Sequence, residues 1–294
     1  MASEELPAGG EPGGAPSVRP VAELEELELD LLLDGVFRRY GFDFRDYARP
    51  SLRRRIWNQV RAEGLTTISG LQDRVLHDAR AMERLLLMLS VNVTAMFRDP
   101  SFFRAVREAV VPLLRSYPYV RIWHAGCATG EEVYSMAILL EEEGLYGRCR
   151  VYATDMNEAV VRRAQAGIYP IEVMQEYTAN YLRSGARGQF SDYYTARYDH
   201  VIFKHALRRN LVFSHHNLVT DGSFNEFHLI VCRNVLIYFN ERLQARVHGL
   251  FFASLARFGL LALGRKESLV GTPHQHDYEA VDASERIFRR RPPA

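Results

Sequence analysis

Apolar residues recur at helical spacing through roughly the first ninety positions and at strand-like spacing from about residue 120 onward. From Glu23, the set Leu24, Leu27, Leu31 and Leu32 predicts one apolar helix face, continued by Val36, Phe37 and Tyr40 until Gly41 ends it. A second helix is expected from about 47 to 64, carrying Arg49, Arg53, Arg54, Arg55 and Arg61, with two shorter ones over 68–76 and 79–90. These make an all-α N-terminal domain spanning 22–91.

After a linker at 92–100 and a helix over 101–115, the chain alternates strand and helix. Val120 to Trp123 reads as a strand, 131–143 as a helix and 149–155 as a strand, the pattern of a parallel sheet. The alternation breaks between 167 and 208, where Phe190 to His205 is rich in Tyr, Phe, Val and Ile without helical period, so a small β subdomain is expected there. Strands resume at 210–218 and 228–234, then a helix at 241–257, a strand at 259–263 and a closing hairpin at 278–281 and 287–289. The predicted fold class is α/β over 92–294, a Rossmann-like sheet with a small inserted β subdomain behind an all-α N-terminal domain.

Composition narrows this further. Residues 1–21 are rich in Gly, Pro, Ala and Glu and are expected to be a disordered tail. In the 294-residue chain, 47% hydrophobic residues suffice for a sizeable core. A net charge of +1 gives no global drive toward nucleic acid, and no apolar run approaches ~20 residues, so neither nucleic-acid binding nor membrane insertion is expected. Cys127, Cys149 and Cys232 sit in or beside apolar strands, which suits core thiols and a cytoplasmic location. His215 and His216 lack partners at ligand spacing, so no metal is expected.

The turn Gly126-Cys127-Ala128-Thr129-Gly130 departs from a dinucleotide fingerprint at Ala128 and alone fits a plain strand–turn–helix connection. Asp155, ending the next predicted strand, adds an acidic residue placed to reach a ribose hydroxyl. Glu131 and Glu132 stand at the start of the following helix, where they would repel a pyrophosphate. S-adenosylmethionine carries a sulfonium and an ammonium and no phosphate, so the turn favours a methyl donor. The same glutamates are also open to a simple capping role, worth ~0.3–1 kcal/mol each.

In order, Asn92-x-Thr94-x-x-Phe97-Arg98, the Gly126 turn with Gly130-Glu131-Glu132-Val133-Tyr134-Ser135, Asp155, Asn217-Leu218 and Cys232-Arg233-Asn234-x-x-Ile237-Tyr238-Phe239 form a series. It resembles the CheR family of chemotaxis-receptor methyltransferases, over about 29–287. The resemblance implies transfer of a methyl group from S-adenosylmethionine to glutamate carboxylates of methyl-accepting chemotaxis receptors, giving glutamate methyl ester and S-adenosylhomocysteine. The implied cofactor positions are Asn92, Thr94, Arg98, Gly126, Glu132, Asp155, Asn217, Leu218, Arg233 and Asn234, with Glu132 taking the ammonium. Arg98 and Tyr238 are the implied catalytic pair beside the methyl group. The chain departs from the family's habit at Val133, often Pro, and at Gly264-Arg265-Lys266-Glu267-Ser268, where many members have Gly-His-Ser-Glu.

Bland readings stand beside these. Asn92 and Thr94 are also helix-capping types, and Tyr238 is open to simple packing. Arg54, Arg55 and Arg61 cluster beyond what the net charge requires and are candidates to dock an acidic receptor bundle, against a merely solvated face. A monomer is expected. The competing functional reading is a cofactor-binding regulatory scaffold in a chemosensory-like pathway. For the enzyme no base is needed, because a carboxylate of pKa ~4.3 is already ionised at neutral pH.

Overall fold

The computed structural model describes residues 21–90 and 94–292. Residues 1–20 of the expected tail and Asn92 therefore lie outside the described residues, whereas Val21, expected to end the tail, is the first residue of a helix. Four helices come first: α1 (Val21–Tyr40), α2 (Arg49–Ala62), α3 (Ile68–His77) and α4 (Ala79–Leu89). On α1 the buried stripe is Leu29, Leu32, Leu33 and Val36, whereas Leu24, Leu27 and Leu31 are about half exposed. The apolar face is thus rotated from the expected one, because leucines occupy both sides of this helix and only packing against α3 selects between them. Helix α2 starts later than expected, with Pro50 in its first turn, since Tyr47 is drawn into an antiparallel bridge with Phe239.

The predicted 101–115 helix is broken into α5 (Pro100–Ala105), a π-helical turn (Val106–Val110) and α6 (Val111–Leu114). Pro112 stands in the first turn of α6, and the wider π turn accommodates its ring and missing N–H. Then follow β1 (Val120–Ala125), α7 (Glu131–Glu142), β2 (Cys149–Asp155) and α8 (Glu158–Ala166).

The insertion is mixed rather than all β. Strand β3 (Ile168–Pro170), helix α9 (Met174–Arg183), β4 (Tyr194–Arg197), β5 (His200–Phe203) and α10 (His205–Arg208) build an antiparallel sheet in the order β3-β5-β4 with a helix beside it. Met174, Tyr177 and Tyr181 had the helical spacing that identifies α9, and all three are buried. The chain returns through β6 (Leu211–His215), β7 (Phe227–Cys232), α11 (Glu241–Ser254), β8 (Leu255–Leu263), β9 (Tyr278–Asp282) and β10 (Ile287–Arg290). Helix α11 ends earlier than predicted because Leu255 and Ala256 are buried at the start of a strand whose register shifts opposite Phe227/Leu229.

The main sheet has the order β6-β2-β1-β7-β8-β10-β9, parallel from β6 to β8, with β10 and β9 added antiparallel. One face carries Ile122, Val151, Leu229 and Val231 against α7 and the insertion. The other carries Trp123, Ile230 and Leu261 in one apolar layer with α1–α4 and α11. The helical N-terminal domain therefore shares its core with the sheet, and both meet at the carboxyl ends of β1, β2, β6 and β7, where open α/β folds bind ligands.

Candidate active site

At the end of β1 the backbone turns through Gly126 at φ +80°, and a Cβ there would lie 2.6 Å from Val235 Cγ2. Only glycine lets the turn approach the loop after β7 this closely. Ala128, the departure from an all-glycine turn, adopts a left-handed φ of 47°. Its N–H donates to Asp155 Oδ2 at 3.0 Å, and Asn157 N–H donates to the other oxygen at 3.0 Å. Burial pushes the Asp155 carboxyl up from its ordinary value, while the backbone donors of Asn157, Ala128 and Met156 pull the other way. Asp155 thus ties β2 to the turn and still borders the cleft.

The two glutamates divide the roles left open by the sequence. Glu131 is buried, accepting a bond from Thr129 Oγ1 at 2.7 Å and facing Tyr177 of the insertion; burial raises its carboxyl. Glu132 faces the cleft. His124 Nδ1 lies 3.1 Å from Glu132 Oε1, and Arg233 Nη1 donates to Oε2 at 3.0 Å. Burial pushes Glu132 up, but His124 and Arg233 more than offset it, so its carboxyl ends below the usual value and stays ionised at neutral pH.

Arg233 continues from Glu132 to Asp99, donating from Nη2 at 2.7 Å, with its guanidinium stacked 4.0 Å over the Phe102 ring. Asp99 and Phe97 both adopt left-handed backbone, φ 54° and 51°, on either side of Arg98. Such conformations persist in non-glycine residues only when surroundings enforce them. Here Phe97 is buried edge-on against Tyr181 and Phe190, its N–H donates to Ser135 Oγ at 2.8 Å, and Asn180 donates to Met96 O.

Thr94, Arg98, Gly126, Glu132, Asp155, Asn217, Leu218, Arg233, Asn234 and Tyr238 all line this one cleft. Sequence reasoning missed much of the rest of its wall. Tyr47, Leu89 and Ser90 come from the helical domain, and Met156, which receives the Tyr47 hydroxyl at 3.5 Å, from the end of β2. His216 also borders the cleft, its ring edge-on to Trp123 and its Nε2 against Gly222 O. Glu267 supports the loop after β7, accepting N–H bonds from Asn234, Val235 and Leu236 at 3.1, 2.8 and 2.8 Å and from Gly264. The divergent 264–268 segment thus retains the carboxylate that shapes the loop after β7. A signal for Glu267 existed in that segment; Tyr47 had none, since its place depends on a long-range bridge.

The three docking arginines are not equivalent. Arg54 and Arg61 are exposed, but Arg55 is buried, donating to Leu89 O at 2.7 Å with its guanidinium 4.4 Å over the Tyr238 ring. Arg55 is therefore removed from the expected solvent-facing set by its contact with Tyr238. Among the described residues no helix is long and apolar enough to cross a membrane, and no three metal-type side chains converge.

A Rossmann-like sheet whose carboxyl edge offers an ionised glutamate, a second carboxylate bordering the cleft at the end of β2 and a helix start unsuited to phosphate defines an S-adenosylmethionine-dependent methyltransferase. The cofactor fits the donors present: an anionic group for its ammonium and no cradle for a phosphate. The family model described as "CheR methyltransferase, SAM binding domain" matches residues 92–286, and "CheR methyltransferase, all-alpha domain" matches 27–90. The chain belongs to the CheR methyltransferase family. It is 48% identical over 265 residues to a Pseudomonas putida protein named "Putative methyltransferase Cher3", covering 90% of this chain and 97% of the relative. Similarity extends to the chemotaxis protein methyltransferases of Listeria innocua, 30% identical over 84% of this chain and 93% of the relative, and Escherichia coli, 29% over 79% and 81%.

Proposed function

We propose that this enzyme methylates glutamate side chains in the cytoplasmic domains of methyl-accepting chemotaxis receptors, acting as a cytoplasmic monomer and releasing S-adenosylhomocysteine. The observation that carries this reading is a shared wall. Tyr238 and Ser90 border both the cofactor cleft and an adjacent groove lined by Arg54, Arg55 and Arg84. An acidic helical substrate lying in that groove would bring a carboxylate to Tyr238 and Arg98. The names of the Listeria and E. coli relatives support the same substrate class.

In this reading Glu132 receives the cofactor's ammonium and Asp155 its ribose, Thr94, Asn217, Leu218, Arg233 and Asn234 complete the pocket, and Asn92 is a further cofactor-binding residue. The cofactor supplies an electrophilic methyl group. That methyl group would pass to the substrate carboxylate, the S–CH3 electron pair staying with sulfur, and because the carboxylate is already ionised no residue of the chain has to move a proton. Arg98 orients the carboxylate through paired N–H donors, and Tyr238 lines its approach. Positioning and exclusion of water then carry the rate, worth up to ~7–11 kcal/mol in well-aligned systems.

Tritiated S-adenosylmethionine tests the reading on an acidic receptor fragment. Base-labile, volatile counts on the fragment are the expected result. Cofactor binding without transfer would instead assign the chain to the scaffold class.

A further inference from the structure

His124 is a buried titratable side chain that the chemistry above does not use. It sits on β1 between Ala153 of β2 and Val231 of β7 and is 1% exposed. Its sheet neighbours are apolar, and its Nε2 has no hydrogen-bond partner among the described residues. An aliphatic residue would satisfy the packing without burying a half-paired imidazole. Among the described residues the ring's hydrogen bond is to Glu132, at 3.1 Å.

That bond differs in kind from the one Arg233 makes. The terminal torsion of a glutamate is soft, so a single donor on Oε2 leaves the carboxylate free to swing. His124 on Oε1 and Arg233 on Oε2 hold both oxygens from behind. A carboxylate has about four acceptor sites, so each oxygen keeps capacity toward the cleft. Because an ionised carboxylate only accepts, the proton of this pair is on Nδ1.

We propose that His124 is a positioning residue, locking the Glu132 carboxylate in the orientation that receives the amino-acid end of the cofactor. It acts through Glu132 and touches no reacting atom, and it rests on the reading that Glu132 takes the ammonium.

The test compares two ligands by calorimetric titration: S-adenosylhomocysteine, which carries the amino-acid end, and 5′-methylthioadenosine, which lacks it. His124→Leu should weaken S-adenosylhomocysteine about tenfold, the scale of a lost bond to a charged group, and leave 5′-methylthioadenosine within about twofold. His124→Asn, whose amide nitrogen can stand near the place of Nδ1, should recover most of the loss. If His124→Leu does not fold, His124→Gln, with its amide one bond further out, must show the same ligand-selective loss. Equal weakening of both ligands, or of neither, overturns the proposal. Glu132→Gln separates the two ideas: a selective loss there without one at His124 sinks only the positioning role, whereas no selective loss at Glu132 removes the ammonium reading and the proposal with it.

Discussion

Asp99 and Arg233 meet at 2.7 Å although 134 residues separate them, and the pair joins the strained segment that carries Arg98 to the carboxylate assigned to the cofactor. Asparagine tolerates left-handed backbone, so Asp99→Asn removes the charge while keeping the conformation. Single-turnover rates should fall by about 10–100-fold as Arg98 loosens, and S-adenosylhomocysteine affinity should change less. A collapse of affinity with the rate intact would place Asp99 on the cofactor side instead.

Arg98→Lys keeps the charge but loses the paired donors. We expect about a 10²-fold loss in single-turnover rate, ~2–3 kcal/mol of barrier, with no base ionisation between about pH 6 and 9. A lysine variant within about threefold of wild type ends the orientation role.

Asp155 accepts from Ala128 and Asn157, so its replacement affects the turn as well as the ribose. Asp155→Ala should cost ~1.5–3 kcal/mol in S-adenosylhomocysteine affinity, measured by calorimetry on a variant whose melting is followed in parallel. Unchanged affinity in a folded variant refutes the ribose assignment.

Arg54 and Arg61 are exposed, whereas Arg55 packs on Tyr238. Replacing Arg54 and Arg61 with glutamine should raise KM for the receptor and flatten its salt dependence, with cofactor affinity unaltered. Arg55→Gln should instead lower kcat and stability through Tyr238 and Leu89. Identical salt responses from all three variants would contradict the division.

His248, buried on α11 near His274, is pushed by burial down to about 4. The unfolded chain takes up this proton near ~6.5, so folded stability attributable to His248 is full above that value and is lost as pH falls toward about 4. The loss is on the order of 2–3 kcal/mol. Urea midpoints at pH 7.5 and 5.0 should converge for His248→Leu relative to wild type; equal pH dependence in both proteins would reject the assignment.

The sequence by itself determined the elements whose signals are local. The Gly126–Gly130 turn, the glutamates after it, Asp155 at a strand end and the helix periods of α2–α4 all follow from spacing, since turn conformation and amphipathic period depend on near neighbours. It also marked the cofactor class, because two carboxylates at a helix start repel phosphate wherever the helix is packed. Tertiary structure decided what depends on partners distant in the chain. It chose which leucine face of α1 is buried, turned 174–183 into a helix of the insertion and shortened α11 in favour of β8. It withdrew Arg55 from solvent, separated Glu131 from Glu132, brought Tyr47 to the cleft and closed the chain Asp99–Arg233–Glu132–His124. Burial, unlike backbone propensity, is a property of the assembled layers, and no window of sequence contains both sides of a contact made across them.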